Sequence, residues 1–210
     1  MKDNRFKNRT EAGLLLSKQL SEYKNTNAVV LAIPRGGVPV GHIIAKELQL
    51  PLSIVLSKKI GHPNNKEYAI GSVSLDTVIT ENHTEIPPEY IENEIISLRK
   101  KLREKQKQYM GHQNPIDVTN KNVILVDDGI ATGNTVLVSI RMLRKSKPAQ
   151  IIVAVPVVPY NKISLFEKES DVFVYLLAPE DFNAVGEFYE EFNPVEDDEV
   201  IRMLNNTPSN

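Results

Sequence analysis

Five short apolar runs, at 28–33, 52–56, 123–126, 151–155 and 172–177, are separated by stretches whose apolar residues recur at helical spacing. Runs that are apolar throughout belong in strands buried on both faces. Strands that alternate with helices build a parallel sheet covered by those helices. The fold class expected is therefore α/β, a parallel sheet flanked by helices. The helical stretches are 9–23, where Thr10 is a candidate cap, then 38–48, 134–145 and 162–169. A longer helix follows Pro87 and Pro88, with Ile91, Ile95, Leu98 and Leu102 on one face. In open sheets of this kind, ligands bind at the carboxyl ends of the strands.

Two regions depart from the alternation. Residues 57–69 are polar and punctuated by Gly61, Pro63, Asn64 and Asn65, which predicts a mobile loop. Residues 70–80 carry β-rich pieces around Val73, Leu75, Val78 and Ile79, which predict a hairpin arm. The segment from 178 onward is acidic, and short helices are expected around 182–191 and 196–205.

The chain's 210 residues suit one domain with an appendage. A formal net charge of −2 gives no general attraction to nucleic acid or to an anionic membrane. Without cysteine, disulfides, thiol catalysis and Cys-ligated zinc are excluded. No run of apolar residues is long enough for a transmembrane helix, and the opening Met1-Lys2-Asp3-Asn4-Arg5 does not resemble a signal peptide, so a cytoplasmic location is expected. The basic run 99–107 lies on an amphipathic helix with few aromatics, and is read as a solvated face. His42, His62, His83 and His112 lack metal-ligand spacing.

The chemistry concentrates in 123–135. The run Val123-Ile124-Leu125-Val126 is followed by Asp127 and Asp128, then by Gly129-Ile130-Ala131-Thr132-Gly133-Asn134-Thr135. Carboxylates at a strand end can accept hydrogen bonds from a ribose diol. Loop amides and a helix N-terminus can hold a phosphate, with the hydroxyls of Thr132 and Thr135 adding to them. No Lys follows Gly133, so this is not a Walker A loop, and no GxGxxG is present. A second candidate anion loop, Pro34-Arg35-Gly36-Gly37-Val38-Pro39-Val40-Gly41, follows the first strand. Adjacent glycines let amides converge on an anion, and Arg35 offers a forked donor.

These two loops resemble those of type I phosphoribosyltransferases. The stretches Arg9-Thr10-Glu11-Ala12-Gly13, Lys58-Lys59-Ile60-Gly61 and 184–192 are similar to a bacterial subgroup of that family without a settled substrate. The resemblance implies a core over 28–177 with a flexible lid at about 57–86. Segments 1–27 and 178–210 would form a small hood. It implies that 131–135 (Ala131, Thr132, Gly133, Asn134 and Thr135) grips the 5-phosphate of phosphoribosyl pyrophosphate, that Asp127 and Asp128 hold the ribose, and that Arg35, Gly36 and Gly37 hold the pyrophosphate. Lys58 and Lys59 would reach the pyrophosphate too, and Glu67 is a candidate acid or base. Mg²⁺ would arrive with the donor and meet Asp127 and Asp128 directly or through water. The implied reaction transfers the phosphoribosyl group to a nitrogenous base, in a protein that binds neither nucleic acid nor membrane and whose relatives are commonly homodimers. The alternative is a regulatory protein that binds phosphoribosyl pyrophosphate without catalysis. Relatives acting on 6-oxopurines usually carry Asp where this chain has Ala131, which argues against such an acceptor.

Overall fold

The computed structural model describes residues 5–80, 85–111 and 116–207, with the side chain of Glu67 excepted. His83 and His112 lie outside the described residues. In chain order the first elements are α1 (Arg9–Gln19), β1 (Val29–Ala32), α2 (Gly37–Leu48) and β2 (Leu52–Ile54). Then come β3 (Lys58–His62), β4 (Asn65–Val73), β5 (Val78–Thr80) and α3 (Pro88–Met110). The chain continues with β6 (Asn122–Val126), α4 (Asn134–Lys145), β7 (Gln150–Val157), α5 (Ile163–Glu169), β8 (Val172–Leu177) and α6 (Asp197–Asn205). They fall into two compact units: Met1–Val55 with Pro115–Asn210, and Leu56–Asn114.

The first unit is built on a five-stranded sheet of order β2-β1-β6-β7-β8, parallel throughout. β1, β6 and β7 hold its centre because their residues are buried almost without exception. Val29, Leu31, Val123, Leu125, Ile151 and Val153 face one core with Ile140, Leu143 and Phe166 from the helices. Such continuous burial is what a sheet with helices on both faces requires. The register sets Ala32 beside Val126, so the turn after β1 and the acidic pair after β6 leave the sheet at the same level. Both therefore sit at its carboxyl edge.

The ends of this unit are joined by backbone. Phe6 N–H donates to the Phe188 carbonyl (2.9 Å), Glu190 N–H to that of Phe6 (2.8 Å) and Glu191 N–H to that of Lys7 (2.9 Å). The two ends thus meet in a short parallel pairing at Phe6 and Tyr189, whose rings lie 5.3 Å apart. This pairing explains one difference from the expected elements. Segment 182–191 keeps only a 3-10 turn at Val185–Phe188, because the residues beyond it are drawn out to meet 6–7. The second expected helix is α6. At α1 the cap is Asn8, not Thr10: its side-chain oxygen accepts from the amides of Thr10 (3.1 Å) and Glu11 (3.2 Å). The helix has already begun at Arg9, so Thr10 is inside its first turn.

The second unit corrects the loop expected over 57–69. The chain forms β3 and β4 there, an antiparallel pair that β5 extends in the order β3-β4-β5. Its core is small: Ile60, Ile70, Val73 and Ile86 pack with Leu102 of α3. Lys66 Nζ donates to the Tyr90 hydroxyl (2.6 Å) and to Glu94 (2.9 Å), and that hydroxyl donates to the Gly61 carbonyl (2.7 Å). The expected lid falls inside this unit, which also contains α3.

Candidate functional site

The acidic pair is held by its own backbone and by Tyr189 and Arg9. The Asp127 carboxylate accepts the Asp128 amide at 2.9 Å. The Asp128 carbonyl accepts the Tyr189 hydroxyl at 2.7 Å. Arg9 then reaches Asp128 from the start of α1, with Nε at 2.9 Å and Nη2 at 2.8 Å from the same oxygen, Oδ2. The side chains of Arg9 and Asp128 are only 12% and 14% exposed. Arg9 Nη1 donates to the Asn193 carbonyl at 2.8 Å, and its guanidinium lies 3.9 Å from the Phe192 ring centroid.

These contacts set the electrostatics. Burial pushes the Asp127 carboxyl well above the usual carboxylate range, and the neighbouring Asp128 charge adds to the rise. Burial raises Asp128 as well, while Arg9 pulls it back by charge and by hydrogen bonding. Two carboxylates so close do not ionise independently, and Arg9 favours the charge on Asp128. Burial and the Asp128 charge keep the Tyr189 hydroxyl protonated, as a donor.

The turn after β1 lies against this pair. A Cβ at Gly36 would stand 2.1 Å from Asp128 Oδ2, and one at Gly37 would stand 2.6 Å from the Val126 carbonyl, so no side chain fits at either position. The peptide between Pro34 and Arg35 is cis. Arg35 is half-exposed and within 3.7 Å of Glu196, next to α6.

Beyond the pair, the chain turns through Gly133, whose φ of +83° belongs to the left-handed region, and enters α4. A pocket of about 180 Å³ opens there, lined by Asp127, Ile130, Ala131, Thr132, Gly133 and Thr135 among others. The start of α4 has no side-chain cap, which leaves its first amides for a ligand. The structure thus brings Asp127, Asp128, the Gly36–Gly37 turn and loop 131–135 together at one edge of one sheet. Lys58 and Lys59 open β3 of the second unit and are exposed; the backbone of Glu67 is in β4.

Residues 10–193 match the model of the phosphoribosyl transferase domain. This chain belongs to the phosphoribosyl transferase family. A phosphoribosyl transferase-family protein of Mycobacterium tuberculosis (strain H37Rv), Rv0571c, named only as a candidate transferase, is 33% identical over 204 residues. Its counterpart in strain CDC 1551, MT0597, matches equally. The match covers 95% of this chain and 46% of each relative, so the chain spans about half the length of the curated relatives it matches. The crystal structure of TT1426 from Thermus thermophilus superposes with a TM-score of 0.86 at 32% identity, covering 95% of this chain and 97% of that one.

Sequence reasoning alone missed Arg9, Tyr189 and Asn193 as parts of the site. One signal was available for Arg9. A cation at the first residue of a helix opposes the helix dipole, so its presence there asks for a partner elsewhere.

Proposed function

We propose that this chain binds phosphoribosyl pyrophosphate and transfers its phosphoribosyl group to a small nitrogenous base, releasing pyrophosphate. The observation that carries this reading is the grouping at the carboxyl edge of the sheet. An acidic pair stands there with the glycine turn 36–37 against it and the pocket of loop 131–135 beside it. A phosphoribosyl donor has a phosphate at one end of a diol-bearing ring and a pyrophosphate at the other, and two anion loops around a carboxylate pair suit it.

In this reading loop 131–135 anchors the 5-phosphate, and that remote binding energy fixes the reacting carbon. Asp128 accepts from a ribose hydroxyl. The amides near Gly36 and Gly37 and the Arg35 guanidinium hold the pyrophosphate, so the charge that builds as it leaves meets preorganised donors. Displacement at the anomeric carbon breaks its bond to pyrophosphate and forms one to the acceptor nitrogen, which gives up a proton. Hard carboxylate oxygens suit Mg²⁺, which keeps several waters and takes most ligands from phosphates, so Asp127 and Asp128 are the residues that would meet it. When bound, Mg²⁺ would neutralise charge on the leaving pyrophosphate. Among the described residues no group of three or more potential ligands could hold a metal by itself, which fits an ion carried in by the donor. Lys58, Lys59 and Glu67 enter the reading by family resemblance alone, and single alanine variants test them.

The test is pyrophosphate release from phosphoribosyl pyrophosphate with Mg²⁺ against a panel of purine and pyrimidine bases, beside a control without acceptor. Release with one base is expected, with Asp128→Asn slower by at least roughly tenfold and still folded. Release in the control alone would indicate a hydrolase. Donor binding without release would favour a regulatory role.

A further inference from the structure

We propose that Arg9 is a positioning residue: it holds Asp128 by one oxygen and serves as the resident cation of the acidic pair, keeping a divalent ion off that pair until a phosphorylated ligand brings one. The ligand in this inference rests on the phosphoribosyl pyrophosphate reading; the ion pair does not.

Arg9 is fixed on three sides. Two of its nitrogens converge on Oδ2 of Asp128 at 2.9 and 2.8 Å, the third donates to the Asn193 carbonyl at 2.8 Å, and Phe192 lies 3.9 Å from the guanidinium carbon. Both Arg9 hydrogen bonds to Asp128 fall on Oδ2, which leaves Oδ1 outside the ion pair. A guanidinium is charged at every accessible pH and stacks on aromatic faces, which an ammonium does less well. The placement does nothing for α1, where a cation in the first turn is unfavourable.

The consequence is electrostatic. A divalent ion approaching Asp128 meets a carboxylate already neutralised by a charge that cannot dissociate. Mg²⁺ sheds water reluctantly and needs several anionic oxygens to do so. Once the phosphates of a bound donor supply those oxygens, the ion does not need Oδ2, and Arg9 stays in place while Oδ1 faces the sugar.

The experiment titrates Mn²⁺, as a paramagnetic stand-in for Mg²⁺, into the donor-free protein and follows free Mn²⁺ by electron paramagnetic resonance. Wild type should bind it weakly. Arg9→Gln should bind roughly tenfold more tightly or better, because a unit positive charge beside the site has gone. Arg9→Lys should stay near wild type. A purely structural Arg9 would lower the melting temperature of Arg9→Gln and leave Mn²⁺ affinity unchanged, and that result overturns the proposal. Should Arg9→Gln fail to fold, Phe192→Leu decides: it removes the ring that holds the guanidinium and should tighten Mn²⁺ binding a few-fold, whereas wild-type affinity overturns the proposal. A second titration with phosphoribosyl pyrophosphate separates the two readings. Failure of wild type to bind the donor sinks the transferase reading, and the donor-free comparison still decides Arg9.

Discussion

The parallel sheet of the first unit and the three-stranded sheet of the second are made by opposite means. Apart from Asn122 and Gln150 at their starts, β1, β6 and β7 are apolar and buried on both faces, so nearly every residue contributes to the core. β3, β4 and β5 bury only a few residues, chiefly Ile60, Ile70 and Val73, which pack with Leu102 of α3, and leave Lys58 and Lys59 exposed. The second unit also carries polar ties at its surface, such as Lys66 to Tyr90 and Glu94. A sheet with two apolar faces tolerates no charge within it, whereas one with a single apolar face depends on a handful of anchors.

The largest expected effect follows from the two-faced burial. Val153 lies fully buried in the middle of β7, and Val153→Asp would place a carboxylate there with no partner. We expect a cost above about 4 kcal/mol and loss of the cooperative thermal transition of the first unit. A melting curve close to that of wild type would break the comparison. The next effect belongs to the second unit. Ile70→Ala removes one of five buried anchors and should cost about 2–5 kcal/mol. Hydrogen exchange should report it as lost protection in β3 to β5, with β1, β6 and β7 unchanged; equal loss everywhere would make the two regions one cooperative body.

The smallest effect is electrostatic and lies at the edge of the parallel sheet. Arg144 donates to Asp171 at 2.6 Å, and the Ile151 amide donates to the same oxygen at 2.7 Å. The Arg144 bond, helped by the Ile151 amide and the Arg144 charge, holds the Asp171 carboxyl below its usual range against the opposing effect of burial. A carboxyl lowered by folding contributes stability above its unfolded pKa of 3.8 and loses it as pH falls through the folded value. Asp171→Asn should therefore lower the melting temperature slightly near pH 7. The difference should vanish below the folded value. Both side chains are over a third exposed, so added salt should shrink the difference at neutral pH.

The same contrast explains what the sequence discloses. Runs such as 123–126 and 151–155 read directly as buried strands because nothing in them competes with that assignment. β3 and β4 do not, since Gly61, Pro63, Asn64 and Asn65 look like a loop and turn out to be the hairpin's bulge and turn. At the site, the acidic pair and both glycine-containing loops stand in contiguous stretches and are visible as motifs. Arg9 is not, because its partners Asp128 and Asn193 are 119 and 184 residues away. Nor is the pairing of 6–7 with 188–191, which turns an expected helix into extended backbone. Local pattern reveals what one segment does by itself, and these contacts exist only between segments.

That stitch has a consequence for how the molecule comes into being. A ribosome makes Arg9 before any strand of the sheet and makes Asn193 after all of them. Throughout the synthesis of the intervening chain the arginine has neither its carbonyl nor its aromatic platform, and the carboxylate at 128 waits with it. Contacts across so long a separation carry a loop-closure cost and form late. The nascent protein can complete its sheet with the candidate site still open, and the last contacts made would be the ones that set its charge.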